Sequence, residues 1–186
     1  MRTLLLLSLC FQLTTTAQDW HPPMDPPLIL SGSFGELRSN HFHSGIDIKT
    51  GGVTGKPVYA AERGEIVRIR VGPTGFGKAL YMRHPNGKTS VYAHLSAFDA
   101  VLAAYVKSEQ YRLQQSAVDL YPAAGRYTYE KGDEIAKSGN SGSSGGPHLH
   151  FEIRDSRTEH PLDPIAEGFA VADHRGTQPT PEELRR

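Results

Sequence analysis

The pair Asn86-Gly87, set between the alternating runs "ALYMRHP" and "KTSVYAHLS", limits this chain more than any other stretch. Asn-Gly readily takes the left-handed turn that joins two antiparallel strands, so the two runs are predicted to lie side by side in one sheet. A second hairpin is predicted at Glu62-Arg63-Gly64, between the strand-like halves of "GGVTGKPVYAAERGEIVRIRV". "LILSGSFGELR" reads as a strand ending in a glycine turn, and "AVDLYP", "YTYEKGDEIAKSG" and "HLHFEIR" return to β after one interruption. That interruption, about residues 97–115, has Phe98, Val101, Leu102, Tyr105 and Val106 at helical spacing, with Asp99 or Ser96 placed to cap it. With 19 glycines and 13 prolines punctuating short segments, the fold class is mainly β: an antiparallel sheet or sandwich with one inserted helix.

The first residues read as a secretory signal over 1–17, with Arg2 as the basic start, Leu4 to Leu13 as the apolar middle and cleavage after Ala17. The apolar stretch is shorter than the about 20 residues that span a bilayer. Leu9 is too bulky beside Cys10 for a lipid-anchor site. The proline-rich lead-in 18–27, a domain over 28–166 and a tail over 167–186 complete the expected organisation. Cys10 is the single cysteine and falls in the signal, so export without disulfides points to a bacterial envelope. Any zinc must then be held by His and Asp or Glu, the ligand set of open catalytic sites. With 20 basic and 20 acidic residues and no basic patch interleaved with aromatics, nucleic acid is excluded as a partner.

Nine histidines are many for 186 residues. His21, His84, His160 and His174 sit beside proline or charge in turns and read as surface residues, and His41 reads as a neighbour of His43 rather than a ligand. On an extended "HLHFEIR", His148, His150 and Glu152 share one face while Leu149, Phe151 and Ile153 face a core. In "HSGID" the chain is expected to turn through Ser44-Gly45 and bring Asp47 back toward His43. His43, Asp47 and one histidine of the later pair would supply three ligands and leave a position for water. Glu152 reads equally well as an orienting partner of a ligand imidazole or as an ordinary strand-end carboxylate. Tyr92 shares the face of His94 by alternation and could line the cleft, but it reads better as a core or surface tyrosine. The loop "SGNSGSSGG" is suited to letting a substrate backbone approach closely.

In order along about residues 30 to 164, "FGELRSNHFHSGIDI", "GKPVYAAERGEIV", "GFGKALYMRHPNGKTSVYAHLS", "KGDEIAKSGNSGSSGGPHLHFEIR" and "HPLDP" resemble the lysostaphin-type zinc metalloendopeptidases, the LytM domain family. The resemblance implies a duplicated-hybrid-motif-like β fold and hydrolysis of peptide bonds in bacterial peptidoglycan, in the periplasm or cell envelope. It also implies one Zn2+ per chain on His43, Asp47 and His150, with His148 and His94 as catalytic histidines. Zinc would polarise the scissile carbonyl and bring a water pKa toward about 7. No H-E-x-x-H helix supplies a glutamate base, so a histidine must move the proton. His148 is assigned as general base, and His94 as oxyanion stabiliser or proton donor to the amine. The insertion at 97–115 departs from compact members and is expected to border the cleft.

Two other readings have a place. A non-catalytic LytM-like domain that activates a cell-wall amidase typically lacks a metal-site residue, whereas all five are present here. A carbohydrate-binding β domain leaves the ordered set of five unexplained.

Overall fold

The computed structural model describes residues 19–39 and 41–172. The predicted signal with Cys10 and Ala17, His174 and the "PTPEELRR" stretch lie outside the described residues. In chain order the elements are β1 (Leu30–Gly32), β2 (Ile46–Lys49), β3 (Pro57–Tyr59), β4 (Gly64–Val71), β5 (Lys78–Arg83), β6 (Lys88–Ala93), β7 (Ala97–Phe98) and helix α1 (Ala100–Leu113). Then follow β8 (Val118–Leu120), β9 (Thr128–Tyr129), β10 (Glu134–Lys137), β11 (His148–Asp155) and β12 (Pro161–Leu162). The larger sheet runs β1-β2-β11-β6-β5-β4-β8, with β12 beside β11 and β9 beside β4, and the smaller runs β3-β10-β7. The expected class holds: a mainly β protein of antiparallel sheets with one helix.

β5 and β6 pair across Asn86-Gly87 as predicted, and Gly87 takes φ 78° there. The hairpin predicted at Glu62-Arg63-Gly64 does not form. β3 pairs with β10, whereas β4 pairs with β5, β8 and β9. Fully buried Ala60 and Ala61 carry the chain from one sheet to the other, and the Ala61 N–H donates to the Tyr92 hydroxyl. Alternation marks both segments as strands, yet it does not say with whom each pairs.

The core lies between the sheets. Leu149, Phe151 and Ile153 of β11, Tyr92 of β6, and Ile46 and Ile48 of β2 meet Val58 and Ile135 from the smaller sheet. Each large side chain buried this way stabilises the fold by about 1.5–3 kcal/mol. The helix begins at Ala100, later than predicted, because Ala97 and Phe98 are drawn into β7 against β10. Asp99 caps it by accepting from the Val101 and Leu102 N–H groups, and Leu102 and Val106 face the core.

The core also passes both expected limits of the 28–166 domain. Trp20 and Met24 before it, and Phe169 and Val171 after it, are buried. Trp20 stacks on Phe169 with ring centroids 5.2 Å apart, and its indole N–H donates to the Glu167 carbonyl. His84 is a second correction. It is 3% exposed, edge-on to Trp20, and hydrogen-bonded to Ser90 and the Arg63 carbonyl, because the lead-in covers the hairpin end where it sits. Among the described residues no helix is long and apolar enough to cross a membrane.

Candidate metal centre

β11 lies between β2 and β6 in the larger sheet, with Asp47 opposite His150 on one side and Ala93 opposite His150 on the other. The pleat puts His148, His150 and Asp47 on the face away from Phe151 and Tyr92. His43 precedes β2 in a loop held by Gly35 N–H to His43 O and His43 N–H to Glu36 O, both 2.8 Å. The turn from His43 to Asp47 passes Gly45, where a Cβ would lie 2.2 Å from the Phe151 carbonyl oxygen. Glycine is therefore required for the chain to run this close to β11.

His94 arrives differently. Alternation would aim it with Tyr92 into the core, but one residue beyond β6 it adopts φ 59°. The left-handed conformation turns its ring to the other face, beside His148 at a centroid distance of 4.7 Å. Tyr92 itself is fully buried against Phe151, so the two do not share a face. For a non-glycine residue this backbone costs about 1–2 kcal/mol, a strain typical of functional positions.

Three ligand-type atoms converge. His43 Nε2 and His150 Nδ1 are 2.9 Å apart, and Asp47 Oδ1 lies 2.9 Å from the His150 nitrogen and 3.1 Å from the His43 nitrogen. The opposite nitrogens are committed: His43 Nδ1 donates to the Ser33 carbonyl at 2.8 Å, and His150 Nε2 to the Glu152 carboxylate at 2.9 Å. In neutral rings those protons leave lone pairs on both inner nitrogens. In that tautomer two nitrogen lone pairs and a carboxylate oxygen face one point, an arrangement that suits a cation. The donor set fits zinc, with Glu152 and the Ser33 carbonyl fixing the tautomers.

His148 Nδ1 donates to the Gly146 carbonyl and His94 Nδ1 to the Ser141 carbonyl, both at 2.8 Å, so each keeps an Nε2 lone pair. His148 Nε2 is 3.4 Å from Asp47 Oδ1. Burial opposes ionisation of Asp47, but the His148, His150 and His43 imidazoles around it outweigh burial and hold the carboxyl far below the usual range. Burial likewise disfavours a charged His150, yet Asp47 and Glu152 raise it to about 9, so a cation that binds there must displace a proton. His148 is shifted upward by Asp47 against its own burial. Burial takes His94 down to about 4, so its ring is neutral at ordinary pH.

Sequence reasoning did not find Arg38, whose Nη2 donates to Asp47 Oδ2 at 2.8 Å and to Glu36 at 3.1 Å. It comes from a loop whose closure no local pattern encodes. His43, Asp47, His94, His148 and His150 open onto a cavity of about 300 Å³ walled by Phe76 and Ser143–Gly145. The glycine-rich loop divides in two. Gly142, at φ 73°, is pressed against the Gly75 carbonyl, whereas Gly145 and Gly146 have open space beside them. None of the α1 residues lines the cavity, so the helix does not border the cleft as expected; its apolar side is spent on the core.

Residues 41–111 match the model of peptidase family M23. Over 121 residues, 64% of this chain, it is 32% identical to an uncharacterized metalloprotease of Haemophilus influenzae. Over 130 residues, 70% of the chain, it is 31% identical to the DD-carboxypeptidase/endopeptidase Mpg of Neisseria meningitidis. It spans 20% and 24% of the lengths of these two relatives. The catalytic domain of the antimicrobial peptidase lysostaphin from Staphylococcus simulans shares the fold, with a TM-score of 0.55 at 23% identity over 75% of this chain and 90% of that one. The matched span, from the histidine loop before β2 into α1, and the relatives agree that this chain carries a LytM-type domain of peptidase family M23.

Proposed function

We infer that the chain is an exported zinc metalloendopeptidase that hydrolyses peptide cross-links of bacterial peptidoglycan. The observation that carries this reading is the meeting of His43 Nε2, Asp47 Oδ1 and His150 Nδ1, all buried, at the floor of an open cavity. These three residues would hold one Zn2+, which when bound polarises a carbonyl and acidifies water. His148 and His94 are the proton carriers. Each presents an unprotonated Nε2 to the cavity because its other nitrogen is tied to a carbonyl, and between them they take a proton from water and return one to the leaving amine. Phe76, 5.0 Å from the His150 ring by centroids, helps to keep bulk water from the ligand side. Export rests on the leader-like first 17 residues.

Metal content of the purified protein, measured together with new amino termini released from peptidoglycan, tests the reading. Stoichiometric zinc with release is expected. Bound zinc without any hydrolysis would point instead to the amidase-activating type of domain.

A further inference from the structure

Next to the histidine cavity lies a second, of about 380 Å³, which shares Arg38, Asp47, Gly145 and His148 with it. Lys49 lines only the second. It follows Asp47 by two residues on β2 and sits opposite His148 in register. Its side chain therefore shares the face of the metal cluster, about 7 Å along the strand from Asp47. Lys49 is exposed and its ammonium has no ion pair among the described residues. Arg38, at the seam between the cavities, has a buried Nε with no partner. Gly32 makes room for it, since a Cβ there would lie 2.4 Å from Arg38 Nη2. Lys56 brings a third cation to the rim, its Nζ 3.9 Å from where a Gly51 Cβ would stand. The single carboxylate lining this cavity is Asp47, already engaged by Arg38 and the imidazoles. Beside Gly52, Gly145 and Gly146 the space is open.

A cavity where the Lys49 ammonium has no ion pair among the described residues, and where the one lining carboxylate is already engaged, suits an anion. Resting on the peptidase reading above, we propose that Lys49 forms a subsite for a free carboxylate of the substrate peptide, beside an Arg38 that is already paired with Asp47 and Glu36. An extended peptide advances about 3.3–3.6 Å per residue, so the 7 Å offset sets that carboxylate about two residues from the scissile bond. The enzyme then prefers stem peptides with that group free over those in which it is a carboxamide.

The test uses the full chain incubated with Zn2+ and two synthetic cross-linked stem peptides that differ only in a free carboxylate or a carboxamide at that distance. Binding by calorimetry and hydrolysis by mass spectrometry are both read. The acid is expected to bind at least about tenfold tighter at low salt, Lys49→Gln to abolish the difference with zinc content unchanged, and Lys49→Arg to keep it. Equal binding of acid and amide, or a preference that survives in Lys49→Gln, overturns the subsite. Equal binding with hydrolysis of both peptides leaves the peptidase standing without it. Discrimination in binding with no hydrolysis of either keeps the subsite and removes the peptidase reading.

Discussion

Asp47 divides its two oxygens between different duties, Oδ1 toward three imidazoles and Oδ2 toward Arg38. The roles proposed around it separate by substitution. His150→Ala should lose both zinc and hydrolysis, whereas His148→Ala should keep most of its zinc and lose turnover by about 10²–10⁴-fold; full rate in His148→Ala would show that His148 moves no proton. At His94 the left-handed backbone supplies a prediction independent of activity. His94→Gly should be more stable than His94→Ala by about 1 kcal/mol in urea unfolding, and a less stable glycine variant would contradict the strain. The facing of His148 and His150 was legible because a strand has a period of two. The swing of His94 was not, since one positive φ cancels that period, and nothing in "YAHLS" announces it.

Among the elements, β11 matters most: one of its faces supplies the core with Leu149, Phe151 and Ile153, and the other supplies the site. Its neighbours β6 and β2 come from about 60 and about 100 residues earlier in the chain, so local patterns showed the strands but not their order. The turn at Asn86-Gly87 was readable because its chemistry is local. The false hairpin at Glu62-Arg63-Gly64 was misread for the complementary reason, as the buried alanines that cross between sheets carry no turn signal. The proline-rich lead-in hid its anchor in the same way, because one Trp20 in ten polar or proline-rich residues has no periodicity. Trp20→Ala should lower stability by about 3 kcal/mol without changing zinc content, and unchanged thermal unfolding would show that the lead-in does not hold the fold.

The molecule as a whole should be acid-sensitive for two reasons. Imidazole ligands bind a metal only as neutral rings, so bound metal and hydrolysis should be lost together on acidification below about pH 6. Apart from the site, burial pushes His84 below its ordinary 6.5. The unfolded chain then takes up a proton near 6.5 that the folded protein resists. Stability contributed at His84 is complete above that pH and is lost as the pH falls toward the lower folded value. Urea titrations of the native protein and His84→Gln should show an advantage for the native protein that shrinks on acidification from about pH 7.5 to 5; a constant difference would exclude the mechanism. One other property follows from the stacking of Trp20 on Phe169. The incoming and outgoing polypeptide meet at a shared clasp, so a short linker could seal the domain into a ring, and circular permutants opened at an exposed loop should retain an intact groove.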